Sequence, residues 1–192
     1  MLGRCFRICL VIGFFMTASL VVNAQEVVHA LCGTVSAINP IAKTIIIKTN
    51  DGSNGLFKDM TKSNVSLLFD KDIRSHATPA DAFTKKGAQV IVYYFGGGFG
   101  ALSKRTAVAL LNLGPGPLEN DTGTVVNFNK HELTIRTDSG ATETFQIGAT
   151  AVADTAVGAV SGDKFDPEKG DQVRVIAATN KGRKTLLFVR AQ

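Results

Sequence analysis

Segments in which apolar and polar side chains alternate recur along this chain. The clearest are TIIIKT at residues 44–49 and ELTIRT at residues 132–137, in which β-branched residues dominate and apolar positions alternate with hydroxyl or charged ones. This period of two is typical of strands that bury one face. Each segment is followed by turn-forming residues, NDG at 50–52 and DSG at 138–140, which favour a hairpin. The pattern therefore predicts an all-β fold.

The two hairpin segments belong to a longer internal repeat. GTV at Gly33 matches GTV at Gly123, and IIIKTNDG from residue 45 matches LTIRTDSG from residue 133. Further along, KKGAQVIV from residue 85 matches EKGDQVRV from residue 168, and KRTAVALL from residue 104 matches RKTLLFVR from residue 183. Four matches in one order indicate a duplicated structural unit.

Each copy contains five strand signals: a first strand, a hairpin of two strands, a longer irregular connection and a closing hairpin. The irregular connections are residues 61–86 and 149–169. Five short antiparallel strands with one long excursion suit a small closed or half-closed barrel, because closure hides the strand edges. We therefore expect two tandem five-stranded OB-like barrels. A β-sandwich formed jointly by both copies is the alternative.

The division between the copies is expected in NLGPGPLEND at residues 112–121, where two prolines and two glycines favour a linker. The predicted organisation is a first OB-like domain at 25–113, a linker at 114–118 and a second OB-like domain at 119–192. Each unit is small, so packing one on the other would help to bury apolar surface.

The first 24 residues predict a cleaved signal peptide. Arg4 and Arg7 make a positive start, residues 9–22 form an apolar run, and VNA ending at Ala24 places small residues at positions −3 and −1 of a cleavage site. A membrane anchor is the alternative, but the run has 14 residues, fewer than the roughly 20 of a spanning helix. We expect a mature chain that starts at Gln25, has no stable membrane span and is periplasmic or secreted.

Charge and cysteine content exclude some classes of function. The predicted signal peptide carries two of the 21 basic residues and none of the 16 acidic ones, which leaves a formal net charge of +3. The basic residues are dispersed among acids, which argues against nucleic-acid binding. Cys5 and Cys9 lie in the signal peptide, so Cys32 stands alone and no intrachain disulfide is expected. An exposed Cys32 could pair between chains, although a lone cysteine is more often buried.

With its GTV starts, its TIIIKTNDG hairpin, its GDQVRV segment and a terminal strand after a small turn, the chain resembles the DUF5666 group of exported bacterial domains. The resemblance covers residues 31–113 and 119–191. It implies OB-like domains, export and no assigned chemistry, so it carries no catalytic residues to this chain. The first copy departs from the pattern at Ala88, where an acid is usual, and in its glycine-rich closing hairpin.

The closing hairpin of the first copy, VYYFGGGFGALSKR at 92–105, holds the most unusual side chains of the chain. Aromatic faces beside cations at a barrel rim can stack on sugars or bases, or seat an apolar partner. The predicted binding residues are Tyr93, Tyr94, Phe99, Lys104 and Arg105. The alternative is that alternate aromatic residues fill the core. A dinucleotide site formed by the glycines and a helix at 101–113 is disfavoured, because no βαβ unit surrounds them.

No segment predicts catalysis or a bound metal or cofactor. His29, His76 and His131 are far apart without ligand spacing, and no catalytic serine or cysteine motif occurs. We expect a non-enzymatic binding or structural module of the periplasm or cell surface, whose partner is an envelope protein, a glycan or a small ligand. The alternative is a small-ligand or metal-binding accessory protein of an envelope system, with its site between the barrels or on the Tyr93 to Arg105 hairpin. An unrecognised hydrolase is the third possibility.

Overall fold

The computed structural model describes residues 25–49, 54–59, 66–96 and 105–192, and the predicted signal peptide lies outside them. The described part is predominantly β, and it holds no helix long and apolar enough to cross a membrane. Two 3-10 turns lie at Ala80–Ala82 and Gly162–Lys164. The other elements are β1 (Glu26–Val27), β2 (His29–Asn39), β3 (Thr44–Thr49), β4 (Asn54–Asp59), β5 (Leu67–Leu68), α1 (Lys71–Arg74), β6 (Thr78–Pro79), β7 (Gln89–Phe95), β8 (Thr106–Asn112), β9 (Leu118–Asn129), β10 (Glu132–Thr137), β11 (Thr142–Thr155), β12 (Gly158–Ser161), β13 (Gln172–Asn180) and β14 (Arg183–Ala191).

Five strands of the second half close into a barrel. β9 pairs with β10 and β13, β10 pairs with β11, and β13 pairs with β14, all antiparallel. A parallel pairing of β11 with β14 completes the ring. Because these strands pair with one another around a closed ring, a sandwich shared with the first half is excluded here. The barrel is filled by Val125, Leu133, Ile135, Phe145, Val173, Val175, Leu186 and Val189.

The first half pairs its strands in the same order. β2 lies between β3 and β7, β4 follows β3, and β8 follows β7. A short parallel pairing of β4 with β8 places Lys58 opposite Thr106, and the repeat matches these residues to Gln146 and Thr185, which also pair. The matched segments therefore occupy equivalent places in the two sheets. The core of the first half includes Val35, Ile45, Ile47, Phe57, Val90, Val92, Tyr94 and Leu110.

Gly33 and Gly123 recur in the repeat because a neighbouring strand passes close to each of them. A Cβ added at either position would lie less than 3.0 Å from a backbone carbonyl oxygen, that of Lys48 in the first copy and that of Arg136 in the second. Any other residue would push the paired strands apart, so glycine is required by close backbone approach.

Asn39 and Asn129 recur because each closes the turn after the first strand of its copy. Each side-chain oxygen accepts hydrogen bonds from the backbone N–H groups two and three residues later. The distances are 3.1 and 2.9 Å in the first copy and 2.8 and 2.9 Å in the second. This is the local turn chemistry for which asparagine is favoured.

The second irregular connection begins later than the sequence predicts. Residues 149–155 continue β11, which then turns back and pairs with β12. The ladder between β11 and β14 is interrupted between Ile147 and Val152, where β11 bulges from the barrel. Tertiary packing explains the extension, because Val152 and Ala159 are buried against the first half.

The two halves share a hydrophobic core. Buried side chains of β2, β7, β8 and α1 meet buried side chains of β11 to β14. The backbone N–H of Ala159 also donates a hydrogen bond to the carbonyl oxygen of Val28 at 2.7 Å. Apolar surface that a small barrel would otherwise expose is thereby buried. The shared core consists of Val28, Ala30, Cys32, Ile73, Ile91, Tyr93, Ala109, Leu111, Val152, Ala159, Ile176 and Phe188.

Cys32 lies in this shared core with a free thiol, and it is 5 % exposed. Burial raises the pKa of the thiol to about 12, and alkylation requires the thiolate. We predict that iodoacetamide at about pH 8 modifies Cys32 rapidly in denaturant and very slowly in the folded protein. Peptide mapping by mass spectrometry would follow this residue separately from Cys5 and Cys9. Labelling at equal rates in both conditions would contradict the burial of Cys32.

An exposed ion-pair cluster also links the halves. Lys164 Nζ lies 3.0 Å from a carboxylate oxygen of Asp70 and 2.7 Å from one of Asp72, at the start of α1. Burial pushes the pKa of Asp70 upward. Hydrogen bonds from the Asp72 N–H and from Lys164 outweigh burial and hold the pKa of Asp70 below its usual value of 3.8.

We predict that Lys164→Met changes how the free energy of unfolding depends on pH in the acidic range. The lowered pKa of Asp70 contributes stability that is present above about pH 4 and is lost as the pH falls through the folded-state pKa. Without Lys164 the folded-state pKa of Asp70 should lie closer to 3.8, so the variant should lose less stability than the wild type as the pH falls below about 4. The difference between the two proteins should be small at neutral pH, because exposed ion pairs contribute little, and smaller still at low pH. Urea unfolding at a series of pH values would measure this difference. If the free energy of unfolding depends on acidic pH in the same way in the variant and the wild type, the ion pair between Lys164 and Asp70 does not form in solution.

Candidate functional site: the cleft between the two halves

A buried carboxylate joins the two halves. Asp154, near the end of β11, is 3 % exposed. Its Oδ1 lies 3.1 Å from His29 Nδ1 and 3.0 Å from the backbone nitrogen of Ala30, both at the start of β2. Its Oδ2 lies 3.3 Å from Arg190 Nε on β14. Both oxygens of the carboxylate are therefore partnered, as a buried charge requires.

Tyr94 extends this group onto the neighbouring strand. It lies opposite His29 in the pairing of β2 with β7, and its hydroxyl lies near Arg190. Burial and the negative charge of Asp154 raise the pKa of Tyr94, and the nearby Arg190 and Arg105 oppose the rise only in part. We call His29, Tyr94, Asp154 and Arg190 the polar bridge.

The polar bridge borders a cleft of about 690 Å³. Its lining includes His29, Asp154 and Arg190, together with the small side chains of Ala156 and Ala191. Small-molecule sites have volumes of about 300–1,000 Å³ and combine an apolar wall with a few convergent polar groups. The cleft can therefore hold a small ligand with an apolar body and an anionic or hydrogen-bonding group.

A second cavity, of about 400 Å³, is lined by residues of α1 and of the bulge in β11. Tyr93 also lines it, with a fully buried side chain whose hydroxyl has no hydrogen-bond partner within the described residues. Burial raises the pKa of this hydroxyl. Ser161 and Asp163, which also line the cavity, hydrogen-bond to each other at 2.6 Å. The cavity is thus a polar recess in the contact between the halves.

The structure describes three of the five predicted binding residues, Tyr93, Tyr94 and Arg105. Tyr93 and Tyr94 are 0 % and 6 % exposed and lie in different cores, because successive strand residues point to opposite faces. Both rings therefore lie in cores, which is where the alternative interpretation places the aromatic residues. Arg105 lies just before β8, a strand and not part of a helix, and stays partly exposed. Phe99 and Lys104 lie outside the described residues, so a binding role for the set stays a prediction.

The polar bridge could not be recognised from a local motif, because His29 and Asp154 are 125 residues apart. One signal does point to it. Asp154 is the lone acid in the apolar segment IGATAVADTAVGAV at 147–160, and an acid among buried residues needs partners. His76 lines the second cavity, and His131 is exposed. No group of three or more His, Cys, Asp and Glu side chains in the described ranges is placed to hold a metal ion.

In comparisons with known proteins, no family model matches this chain, and no curated protein matches it. The resemblance to the DUF5666 domains therefore stays a prediction. The cleft and its polar bridge are the features of the chain itself from which a function can be inferred.

Proposed function

We propose that this protein is an exported, non-enzymatic binding module of two tandem OB-like barrels, which holds a small ligand in the cleft beside the polar bridge. The proposal depends on one observation: both halves of the chain contribute to the wall of the cleft. His29 comes from the first half, whereas Asp154 and Arg190 come from the second. A ligand there would touch both halves and stabilise the folded state by binding to it. Contacts between domains are common places for small-molecule sites.

The strand order supports OB-like barrels. In each half the first strand of the five pairs with the second and the fourth, and the third strand runs parallel to the fifth. The connection between the third and fourth strands is long in both halves. This strand order is the one expected of the OB architecture, a five-stranded Greek-key barrel that hosts sites for many unrelated ligands.

Export is part of the proposal, and it rests on the N-terminal segment alone. The positive start, the apolar run and the small residues before Gln25 favour cleavage by a signal peptidase. Intact-mass measurement of the protein from fractionated host cells tests it, with the mass of residues 25–192 expected in the envelope or the medium. The mass of the uncleaved chain in the cytoplasm would contradict export.

The geometry of the polar bridge favours binding over catalysis. An Asp–His pair can orient a general base, but nucleophilic catalysis also needs a hydroxyl or thiol within reach of the histidine. Within the described residues the only side-chain hydrogen bond of His29 is the one to Asp154, and the other oxygen of Asp154 contacts Arg190. The carboxylate is therefore explained by its role in joining the halves.

Ligand retention tests the proposed site. Native mass spectrometry of the protein purified from its own host is expected to show a bound small molecule. Ala156→Trp, which fills the cleft, should remove that molecule. Val157→Trp is the matched control, because Val157 is the next residue, is 75 % exposed and does not line the cleft. A wild-type protein without a ligand, or equal loss in both variants, would contradict the proposal.

A further inference from the structure

The internal repeat places one cation over an aromatic ring in each half. In the second half, Lys184 Nζ lies 5.6 Å from the centroid of the Phe145 ring. In the first half, the matching residue is Arg105, and its guanidinium carbon lies 6.0 Å from the centroid of the matching ring, Phe57. Both rings are fully buried in the core of their half. The two copies therefore share a cation that covers the core.

Carboxylates surround this cation in the second half. Lys184 Nζ lies 2.6 Å from Glu143, 2.9 Å from Glu119 and 3.8 Å from Asp121. The hydrogen bonds that Lys184 donates to Glu119 and Glu143 raise the pKa of Lys184. The second half thus supplies the counter-charge for its own cation.

The first half does not repeat these carboxylates. The strand registers of β2 with β7 and of β9 with β13 agree with the sequence match. The positions that match Glu119, Asp121 and Glu143 are His29, Leu31 and Gly55, none of which carries a carboxylate. A Cβ added at Gly55 would lie 2.6 Å from the Phe57 ring, so a side chain there would require the ring to move.

Within the described residues, Arg105 therefore has no carboxylate in the places that Glu119, Asp121 and Glu143 take beside Lys184. Its Nε is buried and has no hydrogen-bond partner within the described residues. Its guanidinium carbon lies 5.4 Å from the centroid of the Tyr94 ring, and an aromatic face attracts a cation without neutralising it. The carboxylate of Asp154, whose charge also acts on Tyr94, is already bound to His29 and Arg190. Arg105 and Arg190 thus both act on Tyr94, and Asp154 is paired with Arg190.

We propose that Arg105 binds an acidic side chain of a partner protein, in the place that glutamates take beside Lys184. Glutamate is the occupant that the second copy uses at the equivalent position, which favours a protein partner over other sources of negative charge. Arginine in place of lysine suits this role, because a guanidinium can hold a carboxylate with two parallel hydrogen bonds. The inference goes beyond the proposed cleft function and does not require a ligand in the cleft.

Peptide titration tests the inference. The full chain, including its N-terminal segment, is expressed with isotopic labels. Penta-glutamate is added up to millimolar concentrations, and binding is followed by NMR. Arg105→Met is expected to weaken binding at least about tenfold, and Arg105→Lys should retain part of the affinity. Lys58→Met is the matched control, because Lys58 is an exposed cation on β4 of the same sheet. Its affinity should stay within about twofold of the wild type.

Several outcomes would overturn the inference. These are no binding by the wild type, an equal loss in the Lys58 and Arg105 variants, or equally tight binding of penta-glutamine. Tighter binding of a galacturonate trimer would also overturn it, because the site would then belong to an acidic sugar. Should Arg105→Met fail to fold, Arg105→Gln replaces it in the same comparison. Peptide binding by Ala156→Trp separates the two proposals, since this variant blocks only the cleft.

Discussion

Replacing Asp154 with alanine is expected to lower the free energy of unfolding by about 3 kcal/mol. The substitution removes the partner of His29, of the Ala30 N–H and of Arg190 at once. Breaking a buried ion pair costs about 3–5 kcal/mol. The lower end applies because the side chains of His29 and Arg190 are 35 % and 33 % exposed and can be rehydrated. Urea unfolding followed by circular dichroism would measure the loss.

Two variants control for the chemistry of this change. Asp154→Asn keeps an oxygen that can accept from the Ala30 N–H, so it should lose less stability than the alanine variant. Asp138→Ala removes an exposed acid at a hairpin turn and should stay within about 0.5 kcal/mol of the wild type. Equal stability of the Asp154→Ala and wild-type proteins would show that the polar bridge does not hold the halves together. Two unfolding transitions in the variant, with one in the wild type, would support that role.

Tyr94→Ala is expected to lower the free energy of unfolding by about 3–5 kcal/mol. The ring is 6 % exposed and its centroid lies 5.3 Å from that of Phe57. Removing it leaves a cavity in the core of the first half and removes the hydroxyl that interacts with Arg190. An interpretation of Tyr94 as a surface binding residue predicts nearly unchanged stability, so thermal unfolding distinguishes the two.

Tyr94→Phe separates the ring from its hydroxyl. This variant keeps the packing against Phe57 and loses only the polar interaction of the hydroxyl with Arg190, so a loss of about 1 kcal/mol is expected. Similar melting temperatures of Tyr94→Ala and Tyr94→Phe would contradict the placement of the Tyr94 ring in the core.

Much of the fold could be predicted because its signals are local. The alternation in residues 132–137 specifies which side chains of β10 face the barrel. Asn129 forms its turn with groups two and three residues away. Gly123 recurs because the paired strand leaves no room for a Cβ. Because these signals recur in both copies, the positions of the strands can be predicted from the amino-acid sequence.

The candidate site could not be predicted in the same way. The segment at 92–105 has the most unusual composition of the chain, yet Tyr93 and Tyr94 are buried in two different cores. The cleft depends on contacts between residues more than 120 positions apart, as in the pair of His29 and Asp154. A contact of this kind leaves no periodic pattern in either segment.

By itself, the amino-acid sequence determined where strands and turns occur and that one unit is used twice, because alternation and turn chemistry act between neighbours in the chain. Only the tertiary structure decided that the halves share a core, that β11 extends to pair with β12, and that Asp154 meets His29. Those outcomes depend on how distant segments pack and exclude water from one another, which no short stretch of sequence encodes.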